Sequence, residues 1–497
     1  MQEALLPYAY ARAHRILLLG DGQKLTLWLC EESDPQATSE VVRLHGQGSS
    51  AIGLEHRDTA DLIEKIDQIY QAGSSSAAAV VSQVQADVDL NALMQLPAPE
   101  DLLASRDDAP IVRMLNAMLT QAAREGASDI HIEPYADHSC VRIRMDGALQ
   151  TLVQPHRGLH EALISRLKIM AELDIAEKRL PQDGRMKLQL ASGRELDLRI
   201  STLPTLFGEK LVIRVLDAAQ AQLDLTRLGY EPDDLARLVE AIQRPHGMVL
   251  VTGPTGSGKT QSLYACLNRI NTSEVNIATV EDPCEIQLQG INQVNVQDKP
   301  GLTFAIALRA FLRQDPDILM VGEVRDLETA NIAVQAAQTG HLVLSTLHTN
   351  DAPGTLVRLR NMGIAPYNIA ASVTLITAQR LVRCLCPLCK EQVTVPAAVL
   401  VQAGMPAAWL TTDTVDIWQP VGCVHCYKGF SGRTGIFQVM PVSAEMQALI
   451  LQEAGSQVLT QQAQREGVPS LRLAGLRKVL QGITSLDEVV ANTRDGA

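Results

Sequence analysis

The sequence predicts an α/β protein whose largest domain is a parallel β-sheet covered by helices on both faces. Between residues 225 and 380, short apolar runs alternate with helical patterns, and runs that are apolar throughout are typical of strands buried on both faces. The four runs are 248–251, 276–280, 318–321 and 342–344. Because a chain of 497 residues has room for roughly three domains of about 150 residues, we expect further domains before and after this one.

The composition is that of a globular protein and argues against nucleic-acid binding. Hydrophobic residues make up 46% and charged residues 20%, the usual balance of a folded chain. The net charge is −13 and aromatic residues make up 3%, whereas nucleic-acid binders are typically basic or carry stacking aromatics. No apolar run reaches the roughly 18 residues of a membrane span, and the N-terminus lacks the features of a secretory signal. We therefore expect a cytoplasmic protein with no nucleic-acid partner.

Residues 1–100 are predicted to form a separate N-terminal domain. The small-residue stretch 73–79 and the Pro-Ala-Pro of 97–99 mark linkers after it. One helix face is expected from the spacing of Leu62, Ile63, Ile66, Ile69 and Tyr70. The domain holds 6 Lys and Arg against 14 Asp and Glu, which leaves two interpretations open: a solvated acidic surface, or a docking domain for a basic partner.

Residues 101–222 are predicted to form a compact α+β domain. Helical patterns cover 111–123 and 159–173, and alternating apolar residues predict strands between and after them. Asp146-Gly147 supplies a hairpin turn after the strand at 141–145. A second hairpin is expected around Ser192-Gly193, followed by a strand at 211–215.

The segment 253–260 matches the phosphate-binding pattern G-x-x-x-x-G-K-[ST]. Its glycines let backbone N–H groups turn toward phosphate oxygens, and the following helix adds its positive N-terminal end. An apolar strand before it and a helical pattern after it argue against the alternative, a simple glycine-rich turn. Lys259 is expected to reach the β- and γ-phosphates and Thr260 to bind Mg²⁺. The predicted nucleotide-binding residues are Gly253, Pro254, Thr255, Gly256, Ser257, Gly258, Lys259, Thr260 and Gln261.

Two acidic residues follow strands of the predicted parallel sheet. Glu281 ends the run 276–280, and Glu323 follows the run 318–321 after a glycine. Ligands of such sheets bind at the carboxyl ends of the strands. Two carboxylates at that edge permit a division of labour, in which one lies near Mg²⁺ and the other orients the attacking water. Solvated loop charges are the alternative for either residue taken alone.

Five of the nine cysteines crowd into one stretch near residue 400. Cys386 with Cys389 and Cys423 with Cys426 form two C-x-x-C pairs, which together suit a tetrahedral Cys₄ zinc site. The 33 residues 390–422 between the pairs must then loop out. Buried free thiols and a redox pair are the alternatives, and Cys384 is left without a role. We place a zinc-binding subdomain at 381–436 and a helical subdomain at 437–497.

Several longer stretches make the chain recognisable. They are 127–134, 180–185, 309–317 and 340–350. From about residue 100 to its end, the chain resembles the secretion ATPases that power type II secretion and type IV pilus assembly. The resemblance implies a RecA-like P-loop ATPase domain over 223–380 that hydrolyses ATP, preceded by a PAS-like α+β domain and followed by the zinc insert.

The resemblance also implies roles for individual residues. Glu281 matches the catalytic glutamate of the family's Asp box, and Glu323 matches its Walker B glutamate. His341 and His348 match the His box, which is thought to sense the nucleotide. The arginines that reach the phosphates correspond to Arg185, Arg199, Arg309 and Arg313. The alternative for each arginine is a surface salt bridge. The alternative for each histidine is a structural role.

The family resemblance further implies a homo-hexameric ring peripheral to the cytoplasmic face of the inner membrane. Type II secretion is favoured by the segments 6–12, 102–110 and 482–489, whereas 205–210 and 290–294 look more like the pilus-assembly branch. In the favoured branch, residues 1–100 would bind the cytoplasmic domain of a bitopic inner-membrane protein, and the ring would act on an inner-membrane platform protein. A nucleic-acid translocase and a non-hydrolysing scaffold remain the alternatives from other classes.

Overall fold

The computed structural model describes residues 3–4, 14–20, 25–30, 32–45, 52–59, 61–62, 65, 110–189, 195–216, 223–297, 301–410, 412–423 and 425–493. Within these ranges, the strands form sheets of four, six and seven strands and one two-stranded ribbon. The largest sheet carries the candidate site, and the six-stranded sheet lies against it through a small number of polar contacts described below.

The N-terminal region forms a four-stranded sheet in the order β1-β2-β3-β4. Its elements are β1 (Glu3–Ala4), β2 (Ile16–Gly20), β3 (Leu25–Leu29), α1 (Pro35–His45) and β4 (Ile52–His56). A small core of buried aliphatic residues lies on β2 and β3, and Leu62 packs into it. Of the predicted helix face, only Leu62 falls within the described residues, and the linker stretches 73–79 and 97–99 lie outside them.

The second region is an antiparallel sheet with two helices on one face. Its elements are α2 (Pro110–Arg124), β5 (Asp129–Pro134), β6 (Ser139–Met145), β7 (Ala148–Val153), α3 (His160–Met170), β8 (Gln182–Gln189), β9 (Glu195–Thr205) and β10 (Gly208–Leu216). The strand order is β7-β6-β5-β10-β9-β8. Because side chains alternate along a strand, Ile130 and Ile132 enter the core with α2 and α3, while Asp129 and His131 lie on the other face.

The predicted turn and helices of this region are confirmed, with one correction. Asp146 and Gly147 have φ of +48° and +85°, the left-handed values of a two-residue hairpin. The helix predicted over 159–173 is shorter and ends at Met170. It stops because Glu172 adopts a φ of +57° and the Leu173 N–H turns back to the Lys168 carbonyl at 2.9 Å. The turn predicted at Ser192-Gly193 lies outside the described residues.

The third region is the predicted parallel sheet. Its elements are α4 (Pro232–Ile242), β11 (Gly247–Thr252), α5 (Lys259–Ile270), β12 (Ile277–Glu281), β13 (Asn292–Asn295), α6 (Phe304–Phe311), β14 (Ile318–Val321), α7 (Leu327–Gln338), β15 (Leu342–Leu347), α8 (Ala352–Asn361), α9 (Pro366–Ser372) and β16 (Val373–Leu385). The four apolar runs become β11, β12, β14 and β15, buried over nearly their whole length. Their mutual parallel pairing confirms the predicted sheet.

The described part of the rest of the chain combines a ribbon, a long strand and five α-helices. The elements are β17 (Glu391–Pro396), α10 (Ala397–Gln402), β18 (Thr414–Gln419), β19 (Phe430–Pro441), α11 (Ala444–Leu451), α12 (Ser456–Arg465), α13 (Leu471–Leu480) and α14 (Leu486–Asn492). The large sheet has the order β13-β12-β14-β15-β11-β16-β19, with β19 antiparallel to β16.

The long strands β16 and β19 were not expected from the sequence. The domain limits proposed at 380/381 and 436/437 fall inside them. The expectation that the chain is helical from residue 437 is therefore wrong for 437–441, which complete β19, whereas the helices that follow are confirmed. Between the two strands, β17 and β18 pair as an antiparallel ribbon, so the stretch between the cysteine pairs does loop out. In the part of the chain that the structure describes, no helix is long and apolar enough for a membrane span.

Candidate functional site

The phosphate-binding pattern lies between β11 and α5, at the carboxyl end of β11. Gly256 and Gly258 have φ of +78° and +86°, which side chains with a Cβ rarely adopt. A Cβ on Gly253 would lie 2.5 Å from the Gln379 carbonyl oxygen. No side chain caps the N-terminus of α5 at Gly258, so its first backbone N–H groups are available to an anion.

Lys259 lies across this loop. Its Nζ donates to the carbonyl oxygens of Gly253 at 2.8 Å and Pro254 at 3.1 Å. Burial lowers the pKa of Lys259 from its ordinary value, and the nearby Glu323 carboxylate opposes that shift. The ammonium therefore stands between the loop and an acidic strand end. The Thr260 hydroxyl lies on the first turn of α5, and Thr260 is exposed.

Gln379 on β16 supports the phosphate-binding loop. This residue was not predicted from the sequence. Its side chain is 2% exposed. The Nε2 group donates to the Ser257 carbonyl at 2.7 Å, and Oε1 accepts from the Ser262 hydroxyl at 2.8 Å. One buried amide thus joins the loop to α5. No motif signals this contact, because about 120 residues separate its partners in sequence.

Glu281 is the last residue of β12 and is 3% exposed. Its Oε1 accepts from Thr279 Oγ1 at 2.7 Å and from Gln293 Nε2 at 3.2 Å. Its Oε2 accepts from the hydroxyl of Tyr264 on α5. Neutral donors therefore surround this buried carboxylate, as a buried charge requires.

Glu323 lies beside Glu281 at the end of β14. The glycine that separates Glu323 from the strand is explained by this proximity, since a Cβ on Gly322 would lie 3.3 Å from the Glu281 Cα. Unlike Glu281, Glu323 has basic side chains as neighbours: Arg325 forms an ion pair with Oε1, and His348 Nε2 lies 3.6 Å from Oε2.

Arg325 was not predicted from the sequence. It also faces Asp282 at 3.9 Å and so links the loops after β12 and β14. A basic residue two positions after Glu323 was the available signal, but the sequence alone does not say which acids it would contact.

The two predicted histidines do not meet. His348 follows β15 and lies at the same edge as Glu323. His341 precedes β15, and its Nδ1 is within 3.0 Å of the Ala336 carbonyl at the opposite edge of the sheet. The six residues of β15 span roughly 20 Å, so within one chain His341 lies far from the phosphate-binding loop.

The arginines of the six-stranded sheet approach the loop that follows Glu281. Arg185 and Arg199 are directly opposite each other on β8 and β9. Arg199 Nη2 donates to the Cys284 carbonyl at 2.5 Å, and its Nη1 lies 3.4 Å from Glu285 Oε2. Arg185 is exposed beside it. At the other edge of the same sheet, Asp146 Oδ2 accepts from the Gly432 N–H at 2.8 Å, so the two sheets meet at two separate points.

Arg309 and Arg313 lie on the exposed side of α6 and its C-terminal extension. Arg309 Nη2 pairs with Glu328 Oε1 at 2.6 Å, and Arg313 Nη1 donates to the Arg309 carbonyl at 2.8 Å. Among the described residues, neither arginine makes a hydrogen bond or ion pair with the phosphate-binding loop or the two strand-end acids. Their guanidinium groups are therefore directed to the surface of the chain.

Four cysteines form a compact sulfur cluster. Cys386, Cys389, Cys423 and Cys426 place their Sγ atoms within 4.8 Å of one another. Three Sγ–Sγ distances are 3.9, 3.6 and 3.7 Å, too long for disulfides. Four Zn–S bonds of about 2.3 Å in a tetrahedron give an edge of about 3.8 Å, so these thiols fit zinc. Cys384 is not part of the cluster.

The site and the sheet define a class of protein. A P-loop after one strand of a parallel sheet, with acids after two neighbouring strands, is the arrangement of P-loop nucleotide-binding proteins. The chain belongs to the family of type II/IV secretion system proteins, which it matches over residues 104–491. The resemblance seen in the sequence is thereby confirmed.

Individual relatives fall in both branches of the family. The chain is 49% identical to the type II secretion system protein HxcR of Pseudomonas aeruginosa, over 99% of this chain and 100% of HxcR. It is 47% identical to the type IV pilus assembly ATPase PilB of the same organism, over 97% of this chain and 85% of PilB. Sequence identity by itself does not separate the two branches.

A solved structure supports the fold class. The ATPase DotB of Legionella pneumophila has a TM-score of 0.56 and 21% identity, and the match covers 76% of this chain and 95% of DotB. Similarity at this level concerns the fold alone. The predicted α/β class with a RecA-like domain is confirmed.

Proposed function

We propose that this chain is an ATPase that hydrolyses Mg-ATP to power type II protein secretion through pseudopilus assembly. One observation carries the proposal: Lys259, Glu281 and Glu323 lie together at one edge of the parallel sheet, around a loop shaped for phosphate. In this proposal residues 253–261 bind the nucleotide and Lys259 contacts its β- and γ-phosphates. The relatives named as ATPases support hydrolysis as the reaction.

The two acids divide the chemistry. Glu281 orients the water that attacks the γ-phosphate, because its carboxylate is buried and held by neutral donors. Glu323 and the Thr260 hydroxyl would hold Mg²⁺, since both offer the oxygen ligands that this ion takes. Magnesium, when bound, neutralises charge on the phosphates. His348 lies 3.6 Å from Glu323 and is suited to respond to the γ-phosphate.

The arginines supply positive charge from outside the P-loop. Arg199 already contacts the loop after Glu281, with Arg185 beside it, which supports closure of the 101–222 domain on the nucleotide. We propose that Arg309 and Arg313, both on the surface, act on a neighbouring copy in a homo-hexamer. We propose that His341 also acts on a neighbouring copy, because it lies at the edge of the sheet opposite the P-loop.

The cysteine cluster is proposed to bind structural zinc. Four thiolates complete the coordination and leave no open position. The chain between the pairs packs on the C-terminal helices, with Leu400 and Ile417 in one core with Leu476. Cys386→Ser is expected to lose the metal and lower Tm; a full complement of zinc in that variant would contradict the four-ligand assignment.

Pilus assembly is the second candidate, because PilB and HxcR relatives are almost equally similar. We favour secretion, because the segments 6–12, 102–110 and 482–489 resemble the secretion branch. In this proposal residues 1–100 dock on the cytoplasmic domain of a bitopic inner-membrane protein, the ring acts on the inner-membrane platform protein, and the ATPase stays peripheral on the cytoplasmic face.

Capture of the full-length chain tests the branch. The baits are the cytoplasmic domain of the bitopic secretion protein and the inner-membrane components of the pilus machine. Selective capture by the secretion bait is expected. Capture only by the pilus components would transfer the chain to pilus assembly, without changing the ATPase and zinc assignments.

Hydrolysis is tested by phosphate release from Mg-ATP. The full-length chain is expected to release phosphate, and Lys259→Ala is expected to abolish release. A wild-type rate no faster than that of Lys259→Ala would instead support a scaffold that does not hydrolyse ATP. Tight, salt-sensitive binding of DNA, which the net charge of −13 argues against, would support a translocase.

A further inference from the structure

Tyr264 connects the phosphate-binding helix to Glu281. The side chain lies on α5, one and a half turns after Lys259, and is fully buried. Its hydroxyl donates to Glu281 Oε2 and accepts the Glu285 N–H at 3.0 Å. One hydroxyl therefore contacts both the carboxylate at the end of β12 and the backbone of the loop that follows it.

The surroundings keep this hydroxyl a donor. Burial, followed by the Glu281 charge, raises the pKa of Tyr264 above its ordinary value, so the phenol stays protonated at neutral pH. Thr279 and Gln293 supply the donors to Oε1, whereas Tyr264 supplies a donor to Oε2 from a different element. The carboxylate is thus fixed to its own strand, to β13 and to α5.

The same loop is also held from the other domain. Arg199 binds the Cys284 carbonyl and faces the Glu285 carboxylate, while Tyr264 binds the Glu285 N–H. The loop after Glu281 is therefore fixed between the phosphate-binding helix and the sheet that carries Arg199.

We propose that Tyr264 is a positioning residue for the Glu281 carboxylate, which it ties to the phosphate-binding helix. The proposal deepens the proposed function, because it rests on the role of Glu281 in orienting the attacking water. A carboxylate misplaced by about 1 Å can lower a catalytic rate by about 10²-fold. Tyr264 acts through Glu281, because its hydroxyl binds Glu281 Oε2 and the Glu285 N–H.

Tyr264→Phe tests the proposal, because it removes the hydroxyl and keeps the ring. In the full-length chain we expect kcat for phosphate release to fall about tenfold or more, with the Kd of a fluorescent ATP analogue changed less than twofold. Tyr135→Phe is the control: Tyr135 follows β5 in the six-stranded sheet and stacks on His138. This control is expected to keep the wild-type rate.

Two results would overturn the proposal. A wild-type kcat in Tyr264→Phe would show that the hydroxyl is dispensable. A parallel loss of nucleotide affinity and kcat would show that the variant displaces α5, which is a structural role. A wild-type rate in Glu281→Gln would instead refute the proposed function of Glu281, so the two failures are distinguishable.

Thermal unfolding provides a second measurement that does not depend on activity. The Tm values of the wild type, Tyr264→Phe, Glu281→Gln and the double variant form a double-mutant cycle. We expect the Tm of the double variant to fall by less than the sum of the two single decreases, because both single changes alter the same hydrogen bond. Strictly additive shifts would overturn the proposal even if the variants are too unstable for a rate measurement.

Discussion

The ends of β12 and β14 hold two carboxylates by different means. Glu281 is 3% exposed and accepts hydrogen bonds from tyrosine, threonine and glutamine side chains. The Glu323 side chain is 16% exposed and faces Arg325 and His348. The two residues nevertheless lie at the ends of adjacent strands, and Gly322 packs against the Glu281 backbone between them.

One edge of the sheet therefore supports two kinds of carboxylate. Neutral buried donors fix the direction of a carboxylate without cancelling its charge, which suits the orientation of a water molecule. Charged, partly exposed partners can exchange with other ions at little cost, which suits a ligand of Mg²⁺. The comparison therefore supports our proposal that Glu281 orients the attacking water and that Glu323 helps to hold Mg²⁺.

After Glu281→Gln itself, the largest loss of rate is expected from Glu323→Gln. Removing the charge next to Lys259 weakens metal binding, so we expect kcat to fall about 10²-fold and the Mg²⁺ concentration for half-maximal phosphate release to rise. A magnesium titration measures both. Glu240→Gln, an isosteric change at an exposed carboxylate on α4, is the control. An unchanged magnesium requirement would contradict the assignment.

Gln379→Ala tests whether buried neutral donors also fix the phosphate-binding loop. The change removes two hydrogen bonds, and we expect the nucleotide Kd to rise about tenfold. Gln438→Ala is a matched control, because this 5% exposed glutamine on β19 binds the Ala352 N–H and not the loop. Equal Kd values for the two variants would refute a specific role of Gln379.

Arg325→Gln should have a smaller effect than either change. The arginine is 63% exposed, and exposed ion pairs contribute only about 0–1 kcal/mol. We expect kcat to fall less than about tenfold, and Arg244→Gln, which breaks an exposed pair on α4, to have no effect. A loss as large as that of Glu323→Gln would show that Arg325 contacts the nucleotide directly.

The smallest effect concerns the thiol beside Glu281. Burial, followed by the Glu281 charge, raises the pKa of Cys284 to about 12, so little thiolate exists at pH 8. In Glu281→Gln the pKa should fall, and iodoacetamide should label Cys284 several-fold faster, because the thiolate is the nucleophile. Mass spectrometry of the labelled peptides measures the rate, with Cys384 as the internal reference. Unchanged labelling of Cys284 would contradict a contribution of the Glu281 charge to the raised pKa of this thiol.

The sequence predicts this comparison only in part. Both acids and Lys259 could be placed, because the P-loop and the ends of apolar strands are local signals with a known position in a parallel sheet. The cysteine pairs were recognisable for the same reason. Their ligand spacing is local even though 33 residues separate them.

The residues that position the acids and the phosphate-binding loop could not be predicted. Gln379 is about 120 residues from the loop that it supports, and β16, which carries it, was not recognised. This strand mixes Thr, Gln and Arg with apolar residues, so its pattern resembles neither a buried strand nor a helix. The sequence pattern predicts only that Tyr264 is a core residue of α5. The contact of its hydroxyl with Glu281 is seen only in the structure.

The most direct test of the account is the behaviour of Glu281→Gln in the full-length chain. Phosphate release from Mg-ATP and binding of a fluorescent ATP analogue are measured on the same preparation. We expect kcat to fall about 10³-fold or more, since a positioned base contributes about 10²–10⁴-fold, and nucleotide affinity to be retained. Phosphate release at the wild-type rate would contradict the assignment of water orientation to Glu281 and the division of labour between the two acids.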